Sequence, residues 1–557
     1  MEQITVQTRQ QTEMIDTPDQ QYDCIIVGAG HNGLAAAAYL AKAGRSVLVV
    51  ERAEVVGGTA CTDEFVPGFH ASGAFQSAET LSPRVIKELA LKAHGLQLSP
   101  PAGNSLATAD GVLRFDGKGR PVDGAGQSGA TLAGADRTAL RDLERFLAKL
   151  VTTMAPLYDA PLPELESLGA GDKFDLLKIG WRLRRLGRRD MQEAMRVVPM
   201  AMRDLVEDYL EGDAVRALLA GLGSPGGWLG PYAAGTVFRA LHDQMAHARP
   251  LLSGPMLPKG GMGALSAALA AAARAAGAEV RTSCEVARIE VDAGAARGVT
   301  LTSGDHIEAG LVVSDVDPKR TLLTLVDAAA LRPEFVFAAG GIRARAGVAL
   351  ISFALDGLPS APGVTDDSSA LAGRIQIGAS LADIERAFDG MSLGELPQRP
   401  FVHLLFPTLA DADLAADGKH VATAWVQAVP RRLTTADGEG DGWDAGRGAL
   451  ANSVVAVIDE VLPNFSDRIV GHRVTAPPDF EERFGATNGC LFDADLGLDQ
   501  SLFLRPLPGW YGYRTPVAGL YLCGSGTHGG GGITGLAGRN AATRIIADAK
   551  NASGRND

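Results

Sequence analysis

Residues Tyr22 to Arg52 read "YDCIIVGAGHNGLAAAAYLAKAGRSVLVVER". An apolar run over Tyr22–Val27 has strand composition, a glycine turn follows, a helix is expected to about Ala43, and a second apolar run ends at Glu51. This is a βαβ opening, and it decides the fold class: α/β, with a Rossmann-like doubly wound parallel sheet. The glycines have separate tasks. Gly28 permits a tight turn, Gly30 lets backbone approach a ligand, and Gly33, with the alanines at 35 to 38, lets the helix lie close to the sheet.

Such a loop also presents unpaired N–H groups and the positive end of a helix dipole, an arrangement that receives a diphosphate. Glu51 follows at roughly 20 residues, where a carboxylate accepts hydrogen bonds from a ribose and disfavours a 2′-phosphate. A non-phosphorylated ADP moiety is therefore expected. NADP is not.

Near the other end of the chain, "GSGTHGGGGITGLAG" from Gly524 to Gly538 places eight glycines in fifteen residues. Parallel-sheet folds bring distant strands together at their carboxyl ends, so both glycine loops are expected to grip one ligand. A further pair, Gly57 and Gly58 in "ERAEVVGGTACT", follows Glu51 closely. A bare NAD domain has no need of it.

These stretches resemble FAD-dependent oxidoreductases of the phytoene desaturase and amine oxidase superfamily. Further blocks carry the resemblance over nearly the whole chain: "PKGGMGALSAALA", "AGLVVSDVDP", "VLPNFSDRIV", "APPDFEERFGATNG" and the closing "YRTPVAGLYLCGSGTHGGGGITGLAGRNAA". They point to the phytoene desaturase-like branch named for pyridine nucleotide-disulfide oxidoreductase domain-containing protein 2. The resemblance implies FAD as cofactor, held by Gly28, Gly30, Asn32, Gly33, Glu51, Arg52, Gly57, Gly58, Thr59, Val286, Gly524, Ser525, Gly532, Ile533 and Thr534. A helix beginning near Ile533 and Thr534 would direct N–H groups at the flavin edge that gains negative charge on reduction. Departures from the family pattern are Ser525, Gly529 and Asp493, where many relatives carry an acid, a proline and a histidine respectively.

At 557 residues the chain exceeds one hydrophobic core, and two or more domains are expected. The reading is residues 1–20 as a disordered tail, then an FAD-binding domain in three parts, 21–100, 256–320 and 499–557. It includes a small antiparallel meander. A mixed α+β substrate domain takes 101–255, read as helical, and 321–498, whose topology is not legible. Net charge of −13 leaves no basic field for nucleic acid. Cys24, Cys61, Cys284, Cys490 and Cys523 form no CxxC pair, which excludes a dithiol relay and gives no metal site. The opening residues lack a signal-peptide core, and no apolar run reaches membrane-spanning length, so a cytoplasmic protein is expected.

A flavin needs no nucleophile motif, and none is present. The expected reaction removes hydride from a mainly apolar small molecule to flavin N5, with oxygen or a quinone reoxidising the flavin. The alternatives are an amine oxidase releasing hydrogen peroxide, a redox-neutral isomerase and a flavin-bearing interaction protein. His528, inside the second loop, is the one candidate catalytic side chain, with a loop-bracing role as its alternative. Asp493, Trp510, Tyr511 and Tyr513 either wall the substrate cavity or pack as core. Residues 173–189, "KFDLLKIGWRLRRLGRR", either rest on a membrane or pack with their basic side in solvent. Met191, Met195, Met200 and Met202 line an apolar pocket or belong to the core.

Overall fold

A computed structural model describes residues 22–108, 111–122, 132–165, 169–362, 367–378, 380–435 and 440–553. The expected tail over residues 1–20 lies outside them. The opening motif forms as read: strand β1 (Tyr22–Val27), helix α1 (His31–Lys42) and strand β2 (Val47–Val50). β1 lies between two parallel neighbours, β2 and the strand His306–Ser314. Glu279–Arg281 pairs in parallel with the far side of β2, and Leu520–Leu522 pairs in parallel with His306–Ser314. Val286–Asp292 and Ala295–Leu301 add the antiparallel meander, which ends in the long strand His306–Ser314.

Register explains why the ligand loops meet. Ser314 sits beside both Val27 and Leu522, so the chain leaves all three strands at one edge of the sheet. Gly28, Asp315 and Gly524 are thereby neighbours, although they come from opposite ends of the sequence. The carboxyl edge of a parallel sheet is where such folds bind ligands.

Among the described residues, the second sheet has eight strands, in the order Ile469–Thr475, Val348–Leu355, His420–Gln427, Val402–Leu405, Arg374–Ile377, Asn104–Thr108, Gly111–Phe115 and Pro121–Val122. Asn104–Thr108 joins Arg374–Ile377 in parallel. The reading of 101–255 as helical therefore fails over its first part. Asn104–Thr108 takes a parallel partner some 270 residues away, which local pattern does not reveal. Among the described residues of this segment, helices begin at Gly134–Tyr158 and run through Thr236–Met245. Helix Trp443–Asp459 covers one face of the sheet, packing Trp443, Leu450 and Val454 against Ile351, Phe353 and Ala424. The opposite face looks into the main core shared with the first sheet.

Candidate functional site

Close packing at the first loop leaves no room for a side chain. A Cβ on Gly33 would lie 2.3 Å from Gly28 O, and one on Gly30 would lie 2.4 Å from Asp315 Oδ2. Gly28 has φ +97°, where side chains are rarely tolerated. Gly57 donates its N–H to Ala29 O at 2.9 Å, which seats the Gly57–Gly58 pair against Gly30.

The two remote loops touch directly. His31 Nε2–H donates to Gly532 O (3.1 Å), and Asn32 Nδ2 donates to Ser525 Oγ (3.3 Å). Gly538, in the terminal helix Leu536–Ser553, packs so tightly on α1 that a Cβ there would sit 2.0 Å from Asn32 O. His31 is buried, and its pKa is pushed down to about 4 by desolvation, so this contact is made by a neutral ring.

A cavity of about 290 Å³ opens along this junction. Its wall includes Gly28, Gly30, Asn32, Glu51 and Arg52, then Gly58, Thr59, Val286 and Ser525. Glu51 is fixed at the end of β2 because its carboxylate accepts from Ala29 N (2.7 Å) and Ala53 N (2.9 Å). Arg52 donates to Glu482 O at 2.7 Å. Gly33, Gly57 and Gly524 stand behind the wall as backbone supports. Ile533 and Thr534 are buried behind it as well. The terminal helix starts at Leu536, later than Ile533, because Thr534 Oγ1 accepts from Leu536 N and donates to Gly529 O, turning the chain before the helix begins.

Two acids on this wall were missed or misplaced by the sequence reading. Asp315 follows Ser314 at the sheet edge and accepts from the N–H groups of Gly33 and Gly30. Burial, with the charges of Asp493 and Glu51 added, holds its carboxyl well above the usual carboxylate range. Asp493 belongs to this wall and not to the substrate side or the core; burial and then the Asp317 charge push it up to about 8. The signal that could have found Asp315 is its place directly after a parallel strand, where such folds bind ligands, and that place is set by long-range pairing.

His528 is buried and lines none of the cavities described. Its Nε2–H donates to Leu157 O at 2.8 Å, its ring packs on Tyr158, and desolvation lowers its pKa to about 4. These contacts are those of a brace, not of a proton relay. Tyr513 donates to His528 O (2.9 Å), Tyr511 to Pro163 O (3.1 Å), and Trp510 packs edge-on against Phe335. All three support loops. Met202 is buried while Met195 is 74% exposed, so the methionines share no pocket.

A second, tighter chamber lies on the other side of the closing loop. Gly531 and Gly532 line it together with Phe75, Trp425 and Phe492. The rings of Phe75 and Phe492 meet at 5.8 Å, and those of Phe75 and Trp425 at 5.7 Å. One glycine loop thus separates a long cavity from an aromatic-walled chamber.

The flavin containing amine oxidoreductase family model matches residues 33–349. The pyridine nucleotide-disulfide oxidoreductase domain-containing protein 2 of Rattus norvegicus is 33% identical over 551 residues, covering 95% of this chain and 94% of that protein. The chain belongs to the flavin-containing amine oxidoreductases. A lycopene-forming phytoene desaturase of a Paracoccus species is 26% identical over 534 residues, covering 94% of this chain and 96% of that protein. A solved putrescine oxidase variant shares the fold with a TM-score of 0.59 at 17% identity, covering 95% of this chain and 99% of that one. A flavin is accordingly the cofactor class. The glycines and acids of the long cavity fit it, since a cradle that any Cβ would fill is what a closely held dinucleotide requires.

Proposed function

We propose that the protein is an FAD-dependent oxidoreductase of dehydrogenase or desaturase type. The observation that carries this reading is the convergence of the Gly28–Gly33 and Gly524–Gly538 loops on one cavity, with a separate chamber across the second loop. An ADP half fits between Glu51 and the α1 N-terminus, and a flavin half fits toward Ser525 and the Gly531–Gly532 turn. When bound, FAD supplies a two-electron acceptor at flavin N5. The chain's own residues bind and orient. Glu51 receives a ribose, Gly30 allows backbone contact with the diphosphate, and Phe75, Trp425 and Phe492 keep water from the chamber.

The substrate is a small molecule with an apolar body, and oxygen or a quinone is the terminal acceptor. An amine oxidase is the second reading, favoured by the shared fold with putrescine oxidase, and it requires peroxide release with amines. The test is anaerobic screening of the yellow protein for substrates that bleach it. Bleaching by a carbon substrate without an amino group supports the first reading; bleaching by amines alone overturns it.

No described helix is long and apolar enough to cross a membrane. Helix Ala170–Arg185 nevertheless exposes Phe174 (58%), Leu177 (69%) and Trp181 (57%), with Lys178 over the Phe174 ring and Arg185 over the Trp181 ring. A basic surface with exposed rings suits a peripheral contact with anionic lipid. Charge reversal at Arg184 and Arg185 is then expected to abolish co-sedimentation with anionic liposomes.

A further inference from the structure

An unusual row of side chains runs past the chamber beside Gly531 and Gly532, and two of them, His403 and Trp425, line it. In the second sheet Gln376 is opposite His403, and His403 is opposite Trp425, across three adjacent strands. Gln427, two residues beyond Trp425, shares its face. This is the face away from helix Trp443–Asp459, and it is buried. A sheet face inside a core is ordinarily apolar.

Several of these groups lack the partners that buried polar groups need. His403 Nε2, Trp425 Nε1 and Arg239 Nε are buried with no hydrogen-bond partner. All three are donors. The Gln427 amide is oriented by Gly226 N, which donates to its Oε1 at 2.7 Å. Its Nε2 therefore faces His403 Nδ1, at 3.5 Å, and Nδ1 is the acceptor. The proton of the neutral His403 ring is left on Nε2. Burial and then the Arg374 charge hold that ring well below the ordinary histidine range, so it stays neutral. Leaving buried donors unmade costs about 1–3 kcal/mol each. The three donors line the chamber itself, whereas the unpartnered acceptors Asn104 Oδ1 and Gln244 Oε1 line only the adjoining lobe and Gln376 Oε1 lies outside the lining, so the chamber suits an occupant bearing acceptors.

Charge points the same way. The chamber continues into an adjoining lobe, sharing Glu79, Pro225, Asp243 and Arg374 with it. Both carboxylates are already engaged: Glu79 with Arg374, Asp243 with Arg239. Arg249 donates to backbone oxygens, to Glu79 O at 2.5 Å and to Gly254 O at 3.2 Å, and its Nε is unpartnered. Among the described residues lining the two lobes, three guanidinium groups face two carboxylates. An amine would meet the excess positive charge; an anion would neutralise it. The two lobes, of about 40 and 30 Å³, exceed the ~10–15 Å³ one water requires and suit a carboxylate-sized group.

We propose that this chamber binds the carboxylate of an acidic substrate, with Arg239, His403 Nε2–H and Trp425 Nε1–H as its donors. The inference rests on the flavin reading for placing the substrate's oxidisable body, and it replaces the expectation of a mainly apolar substrate with that of an apolar body carrying an acid head. The amphiphilic pattern matches the walls: aromatic rings toward Gly531 and Gly532, cations beyond them.

The test is calorimetric titration of the purified holoprotein with two matched sets of probes: acetate, acetamide and ethylamine, then benzoate, benzamide and benzylamine. The expected result is that an acid of either skeleton binds at least about 10-fold more tightly than its amide, with no measurable amine binding. His403→Gln and Trp425→Phe are expected to weaken acid binding about 10-fold, with unchanged flavin content and melting temperature. Preferential binding of the amines, equal binding of acid and amide, or no binding of any probe overturns the proposal. A protein that takes no flavin yet binds the acids selectively would sink the flavin reading and leave the carboxylate site standing.

Discussion

The long cavity and the aromatic chamber are built from opposite materials. In the cavity the decisive positions are glycines, since Gly30 on the wall and Gly33 and Gly57 behind it have no room for a Cβ, while side chains such as Glu51, Arg52, Asp315 and Arg320 complete the lining. The chamber is walled largely by side chains, contributed by eight separated stretches between Phe75 and Gly532. A backbone-made site tolerates almost no added atom, whereas a side-chain-made site can change its ligand without losing its shape.

The contrast is broken most severely by adding a methyl group to the glycine supports behind the cavity wall. Gly33→Ala places Cβ 2.3 Å from Gly28 O and 2.9 Å from Asp315 Oδ2, and the purified variant is expected to be colourless even after reconstitution. Gly538→Ala forces α1 from the terminal helix; overpacking of this kind costs about 1–3 kcal/mol, read as a lower urea midpoint. If either variant retains full flavin and stability, backbone approach is not what builds this site.

The glycine loops were legible because a backbone that must be approached closely excludes every other residue type, and that exclusion is written in spacing. Glu51 was legible for a similar reason, as the acid at the end of a second strand. Asp315 was not. Its importance comes from the register that sets Ser314 beside Val27, a long-range pairing with no local signature. The same holds for the chamber: Gln376, His403 and Trp425 lie on different strands and become a row only when the sheet assembles. Parallel pairing of Asn104–Thr108 with Arg374–Ile377 escaped notice because strand propensity over five residues is weak without its partner. His528 was a misleading signal, since a histidine in a ligand loop reads the same whether it braces or reacts.

His528 sharpens the comparison at intermediate size. His528→Ala removes the hydrogen bond to Leu157 O and leaves a hole beside Tyr158, so stability is expected to fall by about 1–3 kcal/mol while the rate of substrate-driven bleaching stays within about twofold. A large loss of rate at full stability would restore a catalytic role.

A smaller effect concerns pH. Asp493 titrates near 8 in the folded chain and near 3.9 when unfolded. The folded state keeps a proton that the unfolded chain has released, so this group makes stability decline as pH rises through that window. Asp493→Asn lacks the titration. Its melting temperature relative to the parent protein is expected to rise from about pH 5 to about pH 8, and a flat difference would mean that Asp493 is ionised in the fold. Smallest of all, Trp425→Phe in the chamber should leave flavin content untouched.

The central claim is that both ends of the chain close on a single FAD. Release of the cofactor from purified, reconstituted protein by heat, followed by its identification and quantitation by mass spectrometry, tests it most directly. One FAD per chain in the parent protein, and none in Gly33→Ala, is the expected result. FMN, a nicotinamide dinucleotide, or no cofactor in the parent protein would contradict the account.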